Sequence, residues 1–108
     1  MKQYLTPEQT AKLIELGFER PKISAPKLEW ENGEPKFVPQ YTIGELIEML
    51  PEKVTDNHGH DAILQMTCFN RVWRVKYAGA YDVGLMLADE LIDALYYMIL
   101  QLKEEGVI

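Results

Sequence analysis

Between Leu91 and Leu102 the chain places Leu91, Ile92, Leu95, Met98, Ile99 and Leu102 at intervals of one, three or four residues. That period puts all six on one face of an α-helix. A helix so apolar on one side needs a second element to lie against. Residues 72–77 supply a surface of matching character. There Trp73, Val75 and Tyr77 alternate with Val72, Arg74 and Lys76, the period-two pattern of a strand with one buried and one wet face. The expected fold is therefore α+β: a small antiparallel sheet built from hairpins, with the long C-terminal amphipathic helix packed on the face carrying Trp73, Val75 and Tyr77. Gly106 ends that helix, and Val107 can fold back onto its last turn. Asp89, Glu90 and Asp93 complement the positive end of its dipole, whereas Glu104 and Glu105 sit at the unfavourable end.

The remaining elements are marked by their ends. Thr6-Pro7-Glu8-Gln9 combines a cap, a proline at the first helical position and a capping-box glutamine, and Gly17 is a natural stop, so residues 7–16 are expected to be helical. Thr42 and Glu45 repeat the box, Ile43, Leu46, Ile47 and Leu50 follow at helical spacing, and Pro51 ends this second short helix. Between them, residues 28–31 and 35–38 flank Asn32-Gly33, a dipeptide suited to a tight hairpin turn, and Pro35 and Pro39 push the second strand to an edge. Residues 62–67 and 72–77 form a second hairpin with its turn near Phe69-Asn70-Arg71, after a polar loop over residues 56–61. All of this fits one domain spanning residues 1–108.

Charge and cysteine content narrow the setting. Seventeen acids against eleven bases leave a net charge of −6, which repels phosphate backbones and anionic lipid and so disfavours nucleic-acid or membrane partners. One cysteine, no apolar run of signal-peptide type at the start, and a longest apolar stretch of only residues 94–100 lead to the expectation of a cytoplasmic protein.

Five features invite a functional reading. His58-Gly59-His60-Asp61, with Asp56 nearby, resembles part of a metal site, since alternate residues of an extended segment point the same way. A closed site needs about four ligands, and two histidines and one cysteine are the whole supply of imidazole and thiol; the economical reading is a solvated loop. Cys68 could be imagined with either histidine as a nucleophile and base, but no activating context surrounds it, and a buried structural thiol is expected. Arg71, Arg74 and Lys76 interleave with Trp73 and Tyr77 like a fragment of a nucleic-acid-binding sheet, yet those aromatics fall on the face opposite Arg74 and Lys76. Tyr96 and Tyr97 flank the helical stripe and are expected in the core; exposed beside Leu85, Met86 and Leu87, they would suit a partner or a second copy, making a homodimer the alternative. Six acids over residues 78–108 (Asp82, Asp89, Glu90, Asp93, Glu104 and Glu105) suggest mimicry of a DNA backbone, but the array is thin. No glycine-rich phosphate loop, serine elbow or paired-carboxylate spacing occurs, so no catalytic, cofactor-binding or metal residue is assigned.

Tyr41-Thr42-Ile43-Gly44-Glu45-Leu46-Ile47-Glu48-Met49-Leu50-Pro51, the strand Trp73-Arg74-Val75-Lys76-Tyr77, Glu90-Leu91-Ile92-Asp93-Ala94-Leu95 and Leu102-Lys103-Glu104-Glu105-Gly106 together resemble short proteins of unknown function from prophages and mobile elements of Bacteroides-type gut bacteria. The resemblance covers about residues 37–108. It implies a genomic setting only, an accessory phage-like protein made in the bacterial cytoplasm, and no residue inherits a role from it. The expectation is a non-enzymatic protein acting through protein contacts. The alternatives are a nucleic-acid-associated protein using Arg71, Arg74 and Lys76, and a metal-dependent activity at His58, His60 and Asp61.

Overall fold

A computed structural model describes residues 2–21, 28–31, 33–37, 40–55, 58–79 and 83–108. Along the chain the elements are α1 (Pro7–Glu15), β1 (Leu28–Glu31), β2 (Glu34–Phe37), α2 (Ile43–Met49), β3 (Lys53–Thr55), β4 (Asp61–Phe69), β5 (Val72–Gly79), β6 (Val83–Ala88) and α3 (Leu91–Glu104). β1 and β2 form a two-stranded antiparallel hairpin, and β3 to β6 form a four-stranded sheet in chain order with every pairing antiparallel.

The expected helices form for the expected reasons. Thr6 Oγ1 accepts from the Gln9 amide while Gln9 Oε1 accepts from the Thr6 amide, and Thr42 and Glu45 make the same reciprocal pair at α2. α1 runs one residue shorter than its sequence signal: Gly17 takes φ +100° and the Phe18 amide returns to the Leu13 carbonyl. α3 closes alike, with Gly106 at φ +76° and the Val107 amide donating to the Leu102 carbonyl at 2.9 Å. In the first hairpin Gly33 takes φ +78°, while Asn32, Val38 and Pro39 lie outside the described residues.

All six stripe residues of α3 are buried, and the helix packs on β5, β6 and α2. The sheet meets them with Val75 and Tyr77, both fully buried, with Ala62 and Val54 from the neighbouring strands, and with Leu64, Met66, Trp73, Met86 and Ala88 partly buried around them. Leu5, Leu13, Tyr41, Leu46 and Leu50 complete the core from the N-terminal half. The N-terminal segment is fastened there by polar contacts. The Leu5 amide donates to the Tyr41 carbonyl, Gln40 Nε2 donates to the Leu5 carbonyl at 2.7 Å, and Lys2 Nζ pairs with Asp93 at 3.0 Å.

Two strands exceed the sequence reading. β3 is only three residues, too short to show a period, and it forms because Val54 can sit beside Ala62 in the core. β6 is an apolar run interrupted by Gly84, which takes φ +65° beside a register shift between Lys76 and Tyr77. A bulge-like irregularity of this kind hides the alternation that marks a strand. The central hairpin is also longer than its pattern, because Phe69 and Val72 close a two-residue turn at Asn70-Arg71. At its other end a side chain on Gly79 would strike the Asp61 carbonyl oxygen, so the close approach of β4 and β5 there requires glycine.

Two outcomes follow from this core. Leu95→Ala lowers the free energy of unfolding by about 2–5 kcal/mol in a denaturant titration; an unchanged midpoint contradicts the packing of α3. Burial pushes the Tyr77 phenol up to about 12 from its ordinary 10.0, and its hydroxyl donates to the Pro51 carbonyl at 2.8 Å. A folded-state pKa above the unfolded one gives stability that is complete below pH 10 and is lost as pH rises towards 12. Across that window the melting temperature of the parent falls more steeply than that of Tyr77→Phe, and parallel pH profiles exclude this linkage.

Candidate functional site

The register divides the sheet into two faces. The face under α3 carries Val54, Ala62, Leu64, Met66, Trp73, Val75, Tyr77, Met86 and Ala88. The other face carries the alternate residues in rows: Lys53–Ile63–Ala78, then Gln65–Lys76–Leu85, then Thr67–Arg74–Leu87, then Phe69–Val72. On this outer face Ile63 is 59%, Phe69 66%, Leu85 53% and Leu87 54% exposed. Single exposed apolar residues are ordinary on a protein surface. Four large ones on one side of one sheet form a surface that water covers at a cost.

The charges are as uneven as the apolar groups. Among the described residues the paired strands place Lys53, Asp61, Arg74 and Lys76 on the outer face. Asp61 stands at a corner, where it accepts from the Thr55 hydroxyl at 2.8 Å and faces Lys53 at 3.7 Å. Arg74 and Lys76 lie on β5, with Thr67 and Gln65 beside them on β4 and Leu87 and Leu85 on β6, while Ile63 and Phe69 stand one row further out at either end. The hairpin tip adds Arg71, held at φ +63° after Asn70 at φ +50°. Asparagine tolerates this left-handed region, whereas an arginine there costs about 1–2 kcal/mol.

Other sequence-marked residues are placed differently. Cys68 is exposed, not buried. It belongs to the α3-facing side, paired with Trp73, but stands near the hairpin tip. Trp73 and Tyr77 point towards α3 as their alternation requires, while Phe69, expected in the turn, is the last residue of β4 and shares the outer face with Arg74. Tyr96 is buried and its pKa is raised by burial, then by Tyr97; Tyr97 itself is 45% exposed. Leu85 and Leu87 lie on the opposite side of the sheet from α3, so they and the two tyrosines do not make one patch. His58 and His60 are exposed with ring centroids 6.3 Å apart, and Asp61 is engaged with Thr55 and Lys53. Asp56 lies outside the described residues, and among those described no three His, Cys, Asp or Glu side chains gather to hold a metal ion.

A cleft of about 260 Å³ lies between Phe18, Glu19, Arg20, Tyr41, Glu45, Glu48 and Met49. It is smaller than the roughly 300–1,000 Å³ of small-molecule sites. Its tyrosine is already committed, since the Tyr41 hydroxyl donates to the Glu19 carbonyl. Burial, followed by the charge of Glu45, raises the pKa of Tyr41 and keeps it a donor. A second cleft, of about 460 Å³, is lined by Lys12, Leu16, Leu100, Lys103 and Glu104. Among the described residues no helix is long and apolar enough to cross a membrane. No family model, curated protein or solved structure matches the chain.

Relief of the strain at the turn is measurable. Arg71→Gly raises the stability of the hairpin by about 1 kcal/mol, the penalty carried by a side chain in the left-handed region. A drop in the unfolding midpoint shows instead that the arginine makes a compensating contact.

Proposed function

We propose that this chain is a non-enzymatic accessory protein of a phage-like element, and that it acts by binding another protein through the outer face of its β3–β6 sheet. The exposure of Ile63, Phe69, Leu85 and Leu87 on a single sheet face supports the reading. A side chain more than half exposed gives up roughly 25 cal/mol of favourable transfer energy per Å² of apolar area left in water. Covering four of them recovers that energy on binding. The genomic setting rests on the resemblance carried by residues 41–51, 73–77, 90–95 and 102–106.

A second reading has one observation in its favour. Phe69 stands on the same side as Arg74, next to the tip that bears Arg71, and an aromatic beside arginines is the combination that stacks on and neutralises single-stranded nucleic acid. Against it stand the net charge of −6 and the inward position of Trp73 and Tyr77. A gel-shift series with single-stranded oligonucleotides at low salt decides this reading, and a flat series removes it.

The main reading is tested with Leu85→Ser/Leu87→Ser. Both positions are exposed, so melting changes little, by about 0.5 kcal/mol or less at each. Tagged parent and variant are expressed in induced host cells and their captured proteins compared. The parent is expected to retain a discrete protein that the variant loses. Identical captures by the two chains, or none by either, overturn the assignment of the outer face.

A further inference from the structure

We infer that β6 is the pairing edge for a second copy of this chain, in an antiparallel two-fold arrangement centred on Met86 that joins two sheets into one. The phase of the backbone hydrogen bonds decides which groups stand at that edge. In an antiparallel sheet a residue turns its N–H and C=O towards one neighbouring strand, and the next residue turns them towards the other. The Leu64 amide donates to the Glu52 carbonyl at 3.0 Å, on the β3 side, so the backbone of Gln65 faces β5 and bonds that of Lys76. The backbone of Val75 then faces β6 and bonds that of Met86. Leu85 and Leu87, one residue to either side of Met86, direct their N–H and C=O groups away from β5. Among the described residues β6 ends the sheet, so no strand meets those groups. The same two residues are 53% and 54% exposed.

This edge lacks the usual protection. Free edges are blunted by charge, proline, shortness or a bulge. At the opposite edge β3 is three residues long and carries Lys53, and beyond it β4 presents the polar Gln65 and Thr67. β6, Val83–Ala88, has neither charge nor proline, and its irregularity at Gly84 leaves Leu85 to Ala88 in regular register with β5.

A second copy fits this strand by symmetry and by charge. Two-fold pairing about Met86 sets Leu85 of each chain opposite Leu87 of the other. Both are hydrogen-bonded pairs, and each exchanges two backbone bonds. Arg74 and Lys76 stand one strand inward. Their backbones lie three strand spacings, about 14 Å, from those of their counterparts, beyond the screening length of about 8 Å at physiological salt. A chain of net charge −6 repels its own kind over most of its surface, and contact through an uncharged strand keeps that repulsion small. The pairing leaves the outer face open and gathers the leucines of both copies at its centre, so it is compatible with the docking reading and does not depend on it.

Sedimentation equilibrium on the full chain, kept reduced because Cys68 is exposed, is expected to show reversible dimerisation. Leu87→Pro removes an outward N–H and no bond to β5, and Leu85→Lys/Leu87→Lys crowds ammonium groups around the axis. Each is expected to raise the dissociation constant by about tenfold or more at an unchanged far-ultraviolet spectrum. In the parent the Leu85 and Leu87 amides exchange with solvent more slowly as protein concentration rises; in the lysine variant they exchange fast throughout. Met86→Cys/Cys68→Ser is expected to oxidise to a linked pair, because residues facing each other at the axis have Cα atoms about 4.5 Å apart. A parent that stays monomeric at millimolar concentration overturns the inference. So does a dimer that survives both edge variants, or one in which the Leu85 and Leu87 amides exchange freely. Slowing of the Met66 and Cys68 amides instead assigns the contact to the edge of β4 and overturns it as well. A monomeric parent whose Leu85 and Leu87 amides are protected only by a foreign protein's strand gives the edge to that partner, not to a second copy.

Discussion

The contact between α3 and one side of the four-stranded sheet organises this protein. Six apolar side chains of a single helix meet Val75, Tyr77 and their neighbours, and all six are removed from water. Burial of each contributes roughly 1.5–3 kcal/mol before the entropy of ordering is counted. The same contact has a consequence on the other side. One helix layer covers one face, and a strand alternates, so every residue placed under α3 sends its neighbour to the opposite surface. Leu85 and Leu87 are outside because Met86 and Ala88 are inside.

The N-terminal half adds breadth to that core and closes its polar ends. Leu5, Leu13, Tyr41 and Leu46 are buried, and around them the backbone and side-chain groups find partners: Gln40 on the Leu5 carbonyl, the Thr10 hydroxyl on the Tyr41 amide, Lys2 and Gln9 on Asp93. α3 begins without a side-chain cap of its own; instead the Glu90 carboxylate accepts from the Lys2 amide. The start of the chain and the start of its last helix are therefore held together, and both capping boxes deliver their helices to this junction. Among the described residues no buried side-chain nitrogen or oxygen lacks a hydrogen-bond partner, as a core of this size requires.

Much of this was legible in the residues. The capping boxes at Thr6 and Thr42, the stripe of α3, the inward set Trp73, Val75 and Tyr77, and the antiparallel hairpins all follow from local rules of period and turn chemistry. β3 escaped because three residues carry no period, and β6 because Gly84 and a register shift break its alternation. Missing β6 concealed the candidate surface, since Leu85 and Leu87 can be given a side only once their strand is paired. Cys68 was misjudged for a related reason: its alternation assigns it to the covered face, but only the length and position of α3 decide where the cover ends.

The local chemistry of the sequence by itself determined which segments become helix or strand and which face of each is apolar, because those properties depend on neighbours within a few residues. Tertiary structure alone decided which apolar residues would remain in water. One helix can cover only one side of a sheet, and the side it takes is set by the sum of contacts across α3, β5 and β6. Ile63 and Leu64 are adjacent and equally greasy, yet one is exposed and the other packs against the core. The difference is strand phase relative to a helix nearly thirty residues away, and no local signal contains it.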